Sequence, residues 1–332
     1  MQIERRVLYN SLRMNWLCNP ALKVQPWQVE DYRSLPTETL LFSLAKNQII
    51  FDKQSFQLFA ENVDSPEELT DELIADSDLD NEHQDLVFLL VFELWRRFIP
   101  EKKCLSIFLD ELDHQIFLYD HGQIKDVELI QDCIEELSLI LDENIDSGVD
   151  PKSIFETIST ACANDLESFL YDFISEQIDN NNLSYASELL DNFNRFIKEP
   201  RWFAFLRAKI QAADDVLGAN EVIRKLLHEN KKDLEFNLEL LSFVTKSGEH
   251  DLLISLIKKS LPLLQLEEDF IDLATLTIEY FDRLDLDLKK QALEKIVNSR
   301  REISFQTNFL QNDPQAKKLL KICETIGDIK DE

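Results

Sequence analysis

Apolar residues recur three and four positions apart over most of the chain, the spacing of a buried face on an α-helix. Strand signals fail, because alternating β-branched runs with Asn-Gly or Asp-Gly turns are absent. Glycine is also scarce, with five residues in 332. The pattern therefore predicts an all-α fold.

The first half of the chain divides into helices of unequal length. We predict helices near residues 3–17, 38–46, 53–62, 86–99, 101–121 and 125–143, with further starts at Pro66 and Pro151. The helix over 86–99 is apolar almost all round, which predicts a central, buried position. Ser65 before Pro66 gives a strong start signal, and Gly122 is placed for a left-handed cap.

A repeating pattern begins near residue 165. First helices of hairpins are predicted to start near Asp165, Glu199, Asp233 and Glu267, and their partners near Ser184, Gly218, His250 and Asp285. The first helices are thus 34 residues apart, which is typical of stacked helical hairpins. Gly218 and Gly248 are expected in the turns between paired helices, in the left-handed conformation.

One unit carries a family resemblance. Eight residues stand at the positions where tetratricopeptide repeats place their characteristic residues: Phe203, Leu206, Arg207, Ile210, Ala219, Ile223, Leu226 and Leu227. Residues 165–301 resemble that family, with Arg207 replacing a small residue. The resemblance implies a right-handed α-solenoid with a concave binding face. We thus predict an irregular acidic helical domain over 1–150 and a repeat array over 151–332, with a C-terminal capping helix opened by Asp313-Pro314.

Charge is concentrated in the middle of the chain. The 64 acidic and 35 basic residues give a net charge of −29. The net charge is +2 over residues 1–60 (7 − 5) and −21 over residues 61–150 (5 − 26). Such a field repels nucleic acid and anionic membranes and attracts cations. The expected partner is therefore a protein with a basic segment, and a nucleic-acid mimic or an inhibitor of a basic protein is the alternative.

The segment from Asp76 to Glu82 begins like a calcium-binding loop, through Asp76, Asp78 and Asp80. The pattern fails at Val87, where a bidentate glutamate would be needed. We interpret it as a solvated acidic loop, and as a candidate surface for a basic partner.

Catalytic motifs are sparse. His114 and His121 lack the i, i+3 or i+4 spacing for metal-ligand pairing, and His250-Asp251 has no further ligands nearby. The five cysteines form no CxxC pair, and neither a phosphate loop nor GxSxG occurs. We predict no catalytic residue, no metal and no cofactor. A helical metal-dependent hydrolase using these histidines remains a further alternative.

A second candidate contact surface lies at the start of one hairpin. Trp202, Phe203 and Phe205 occur together there, and we expect two of the three in the core. An exposed aromatic residue, Trp202 or Phe205, beside Arg201 and Arg207 suits a protein-binding site. Because signal-peptide and membrane-spanning segments are lacking, we predict a cytoplasmic location. The sequence thus favours a non-catalytic interaction scaffold, an adaptor or cargo-chaperone-like protein.

Overall fold

The computed structural model describes residues 4–230 and 232–325, and over these residues the chain is helical without any strand. One isolated bridge joins Leu266 and Asn308. The described residues divide into two compact units, 4–170 with 195–197, and 171–194 with 198–230 and 232–325. The all-α prediction is confirmed for the described residues. The predicted boundary at 150/151 lies in front of a helix that belongs to the first unit.

Unit 1 contains eight described α-helices and the start of a ninth, with one turn of 3-10 helix at Pro26–Gln28. Their bounds are α1 Glu4–Cys18, α2 Thr37–Lys46, α3 Lys53–Ala60, α4 Pro66–Ile74, α5 Asn81–Phe98, α6 Leu105–Asp120, α7 Val127–Asp146 and α8 Pro151–Thr160. Every residue from Val87 to Trp95 in α5 is buried, which confirms the predicted central helix. Helices α2, α3 and α4 pack against it.

The predicted caps explain several of these helix starts. The Ser65 side chain accepts a hydrogen bond from the Glu68 N–H at 3.2 Å, and Asp150 accepts one from Ser153 at 3.0 Å. Each satisfies an N–H group that the first helical turn leaves without a backbone partner. Gly122 has φ +62°, as expected for a left-handed cap after α6.

Unit 2 is built from consecutive helices of similar length. Their bounds are α9 Leu166–Asp179 (its first turn lies in unit 1), α10 Leu183–Phe193, α11 Pro200–Gln211, α12 Val216–Glu229, α13 Leu234–Ser247, α14 His250–Ser260, α15 Glu267–Arg283, α16 Asp287–Asn298 and α17 Pro314–Glu324. The first helices α9, α11, α13 and α15 start at residues 166, 200, 234 and 267, so the predicted spacing is confirmed to within one residue. Within the pairs α11–α12, α13–α14 and α15–α16 the helices pack together, and α13 also packs on α15.

The prediction that Gly218 and Gly248 are left-handed is wrong. Gly218 lies inside the first turn of α12, where its N–H donates to the Asp215 cap at 2.8 Å. A Cβ at Gly218 would lie 2.0 Å from that carboxylate. Gly248 ends α13 in an extended conformation, with φ −85°. Gly248 is therefore needed for its close approach to Val244 rather than for a positive φ, whereas at Gly218 a Cβ would displace the flexible Asp215 and Gln211 side chains.

We expect Gly248→Ala to lower the free energy of unfolding of unit 2 by about 1–3 kcal/mol, the usual cost of overpacking. The new Cβ would lie 2.5 Å from the Cα of Val244, a backbone atom that cannot rotate away. Urea denaturation checks this, with Ser247→Ala as the control at the neighbouring position. Equal stabilities of the two variants would contradict the close-approach explanation.

Candidate functional site

Trp202 lies on α11 between aromatic rings from both neighbouring first helices. Its ring centroid is 5.2 Å from that of Tyr171 on α9 and 4.8 Å from that of Phe236 on α13, edge-on in both cases. Phe203 and Phe205 are almost completely buried, so two of the three aromatics belong to the core, as expected. Phe205 therefore packs the core and offers no surface to a partner.

The two arginines near Trp202 have acidic neighbours. Arg201 Nη2 lies 2.8 Å from Asp233, and the Arg201 guanidinium stands 5.2 Å from the Phe236 ring centroid. Arg207 Nη2 lies 2.8 Å from Asp191, in a solvent-exposed pair. Exposed pairs of this kind contribute only about 0.2–1 kcal/mol. A carboxylate of a partner could therefore replace Asp191 as the neighbour of Arg207 with little loss of stability.

The acidic loop lies between α4 and α5, and Asp76, Asp78, Asp80 and Glu82 are all exposed. Asp80 caps α5 by accepting the His83 N–H at 3.0 Å, and this backbone hydrogen bond lowers the pKa of Asp80. Over residues 4–230 and 232–325, no three His, Cys, Asp or Glu side chains are placed to hold a metal ion. The loop is an exposed anionic surface.

The three histidines considered for metal chemistry have separate surroundings. A ring nitrogen of His121 lies 2.8 Å from the Phe117 carbonyl, and the His250 ring stacks on Tyr280 with centroids 6.1 Å apart. His114 lines a cavity in unit 1.

That cavity, which we call the α1 cleft, has a volume of about 50 Å³. Arg6, Asn10 and Arg13 line it from successive turns of α1, and Arg33 and His114 line it from other segments. A volume of this size holds one or two water molecules or the head group of a small ligand. Drug-sized ligands need about 300–1,000 Å³.

Asp110 of α6 forms the charged floor of the α1 cleft. Its side chain is 2% exposed, and its two oxygens lie 2.6 Å from Arg6 Nε and 2.6 Å from Arg33 Nη2. Arg96 Nη1 lies 3.4 Å from the same carboxylate. Burial alone would raise the pKa of Asp110, but the three guanidinium groups together hold it well below its usual range.

Asp113 lies one helical turn after Asp110, and its carboxylate accepts hydrogen bonds from a different segment of the chain. It accepts N–H groups from Ala163 at 2.8 Å and Asn164 at 3.1 Å, and the Asn164 side-chain amide at 2.9 Å. Burial raises the pKa of Asp113, while these donors oppose the rise. Its oxygens are therefore already occupied by donors and fix the connection between α8 and α9.

Burial, helped by repulsion from Arg33, lowers the pKa of His114 to about 4. Since this folded-state pKa lies below the unfolded value of 6.5, the stability contributed by neutral His114 is complete above about pH 6.5 and is lost as the pH falls toward 4. Glu111 and Asp110 oppose the shift and Arg96 adds to it.

We therefore expect wild-type unit 1 to lose about 1 kcal/mol more stability than His114→Gln between about pH 7.5 and about pH 5, after allowance for partial solvent screening. Urea denaturation at the two pH values measures this difference. His121→Gln serves as the exposed control. If wild type and His114→Gln lose the same unfolding free energy between the two pH values, the lowered pKa of His114 is contradicted.

The sequence did not identify the arginines of the α1 cleft. Arg6 and Asp110 are 104 residues apart, and no local pattern pairs two such positions. A partial signal was present, since Arg6, Asn10 and Arg13 follow each other at spacings of four and three on α1. That spacing places them on one face but does not say what the face meets.

The outer face of α7 is a second surface, which we call the α7 face. Its exposed residues are Glu128, Asp132, Glu135, Leu139, Glu143 and Asp146, at successive spacings of four, three, four, four and three. Within the described structure, none of these five acids lies within 4 Å of a Lys or Arg nitrogen. The neighbouring Glu136 and Asp142 pair with Lys103 and Arg195. Exposed Leu139 interrupts the acidic row.

Comparison with protein-family models, curated proteins and solved structures gives no match. Among the described residues, no α-helix is both long enough and apolar enough to cross a bilayer. The function must therefore be argued from the surfaces themselves.

Proposed function

We propose that the protein is a non-catalytic interaction scaffold that binds a basic segment of a partner protein through the α7 face. The five unpaired acids of this face carry the proposal. Residues three and four apart on a helix are about 5–6 Å from each other, so like charges there destabilise the helix by a few tenths of a kcal/mol per pair. A cationic segment would remove this repulsion on binding.

The arrangement suits an amphipathic basic helix or an extended basic segment. Leu139 is 58% exposed in the middle of the acidic row, where it can contact an apolar side chain of the partner. Helix α7 has 20 residues and is about 30 Å long, which is enough for several turns of a bound helix. The exposed acids Asp76 and Asp78 of the loop and Glu82 in the first turn of α5 add to the negative field of unit 1 and would speed association.

A nucleic-acid mimic is the second candidate, because the acids of α7 do form a row. The linear charge density of the row favours the scaffold over the mimic. The helix carries seven acids (128, 132, 135, 136, 142, 143 and 146) over about 30 Å, or one charge per roughly 4 Å. Duplex DNA carries one per about 1.7 Å. The α7 face thus offers less than half the linear charge density that a DNA-binding protein normally meets.

Unit 2 supports a scaffold role in a separate way. Hairpins whose first helices start 34, 34 and 33 residues apart are compatible with a tetratricopeptide-like solenoid, and we propose a right-handed array of that kind. The half-buried Trp202, with Arg201 and Arg207 on the same helix, is the contact we propose for unit 2. We propose a cytoplasmic location for the scaffold.

The test compares two triple variants of equal charge. The first, Asp132→Asn, Glu135→Gln and Glu143→Gln, neutralises the α7 face. The control, Glu176→Gln, Glu188→Gln and Asp214→Asn, removes three exposed acids elsewhere, so each variant changes the net charge from −29 to −26. Affinity purification at low salt with quantitative mass spectrometry should recover a partner with wild type and the control but not with the α7 variant.

The captured partner should carry a Lys/Arg-rich segment, and its binding should weaken steeply with salt. The α7 variant should be at least as stable as wild type, because neutralisation removes like-charge repulsion. Its loss of binding could then not be attributed to unfolding. Equal loss of partners in both triple variants would refute the α7 face. If the captured partners are nucleic-acid-binding enzymes, and added DNA displaces them from the protein, the nucleic-acid mimic is favoured.

A further inference from the structure

The α1 cleft presents hydrogen-bond donors that the protein itself does not use. Arg6 donates to Asp110 through Nε alone, so in the described chain its two terminal NH₂ groups have no acceptor. Arg13, two turns further along α1, has an Asp31 carboxylate oxygen 3.4 Å from Nη2 and makes no hydrogen bond. An arginine guanidinium has five N–H donors, so most of the donors of Arg6 and Arg13 remain available.

The position of Arg6 is fixed before any ligand arrives. Asp110, 2% exposed, holds Arg6 Nε at 2.6 Å, and the Phe92 ring centroid lies 5.0 Å from the Arg6 guanidinium carbon. A guanidinium held in this way loses little conformational freedom on binding. Its planar pair of terminal NH₂ groups has the geometry of the two-point contact that carboxylates and phosphates accept.

The charges around Asp110 favour an additional anion. This single carboxylate faces three guanidinium groups, those of Arg6, Arg33 and Arg96. Arg33 also pairs with Glu111, and Arg96 with Glu93, whereas Arg6 has Asp110 alone. Glu93 also pairs with Arg97, so four guanidinium groups share the carboxylates of Asp110, Glu111 and Glu93. Burial and repulsion from Arg33 lower the pKa of Arg96 to about 10.

The other carboxylates that line the α1 cleft, Asp113, Glu30 and Asp31, repel an anion, and their surroundings reduce this repulsion. Both oxygens of Asp113 are occupied by N–H donors from residues 163 and 164. Glu30 is exposed, and the Asp31 side chain is 42% exposed, so water screens their charges. His114 is neutral near pH 7 and can donate one ring N–H.

We propose that the α1 cleft binds an oxyanion group, a carboxylate or a phosphate of a small molecule, through the free guanidinium donors of Arg6 and Arg13. The volume of about 50 Å³ admits such a head group, and a larger ligand would extend into solvent past Arg13, whose side chain is 31% exposed. This site uses none of the residues of the α7 face and does not depend on the proposed scaffold function.

The experiment titrates the full chain with sodium phosphate and, separately, with sodium acetate, replacing sodium chloride at constant ionic strength. Nuclear magnetic resonance of the imidazole groups is the measurement, with His114 assigned from the spectrum of His114→Gln. We expect a saturable shift of the His114 signals at millimolar concentrations, with those of His250 unchanged. Response to phosphate alone identifies a phosphate ligand, and response to acetate alone identifies a carboxylate.

Arg13→Gln should weaken binding at least about tenfold, the usual effect of losing one charge-assisted hydrogen bond. Arg6→Lys keeps the positive charge but removes the planar NH₂ pair, and should weaken binding as well. Arg207→Gln, an exposed arginine in unit 2, should bind like wild type. If Arg6→Lys does not fold, the binding measured with Arg13→Gln tests the proposal. The proposal is overturned by the absence of a saturable shift, or by binding that Arg13→Gln leaves intact.

Discussion

Asp110→Asn is expected to lower the free energy of unfolding of unit 1 by about 3–5 kcal/mol, the typical cost of removing one partner from a buried ion pair. The substitution keeps the size of the side chain but removes its charge. Arg6 then has no carboxylate partner, and Arg33 and Arg96 retain only Glu111 and Glu93. The loss arises from desolvated guanidinium groups rather than from a cavity.

Hydrogen exchange of peptides from α5 and α6 measures this loss in unit 1 directly. Asp191→Asn is the matched control, because its pair with Arg207 is exposed and should contribute less than about 1 kcal/mol. Similar effects of the two substitutions would contradict the assignment of Asp110 as the centre of the cluster.

The pH dependence gives a second check on Asp110. Its folded-state pKa is depressed below the ordinary value of 3.8, so its contribution to stability is complete above that value and is lost as the pH falls toward the folded pKa. The difference in unfolding free energy between wild type and Asp110→Asn should therefore shrink below about pH 4. A difference that stays constant through this range would show that packing, and not charge, is responsible.

Helix positions could be predicted from the sequence because their signals are local. Ser65 before Pro66 and Asp150 before Pro151 each place a capping oxygen within three residues of the N–H it accepts. The apolar run within α5 required burial on every side, which fixed it in the centre of unit 1. Spacing alone located the first helices of unit 2 to within one residue.

Other features could not be predicted, because they depend on residues far apart in sequence or on short atomic distances. No local pattern brings Arg6 or Arg33 to Asp110. The conformation of Gly218 and Gly248 was predicted from the commonest role of glycine, a positive φ. In the structure both residues instead lie close to other atoms, those of Asp215 and Val244 respectively. Phe205 could not be assigned to the core until the neighbouring helices were in place.

The second large effect is expected at Arg300, which connects three segments of unit 2. Its Nη2 donates to Glu267, the first residue of α15, at 2.6 Å, and its Nη1 donates to Asp313, the cap of α17, at 3.0 Å. All three side chains are at most 9% exposed. The guanidinium carbon also lies 4.9 Å from the Phe270 ring centroid and 5.4 Å from that of Phe309.

We expect Arg300→Met to lower the free energy of unfolding of unit 2 by about 3–5 kcal/mol, since it leaves two buried carboxylates without their cation. The effect should be largest near the segment that Arg300 anchors, where the Phe309 N–H donates to the Gln265 carbonyl at 2.7 Å. Hydrogen exchange should show faster exchange of Phe309 and the first turn of α17. Arg207→Met is the control, with an expected loss below about 1 kcal/mol. Burial acts to raise the pKa of Asp313, but hydrogen bonds, including the one from Arg300, lower it below its ordinary value of 3.8. Lowering the pH below about 4 should therefore reduce the difference between Arg300→Met and wild type, whereas a defect caused by packing alone would not respond to pH.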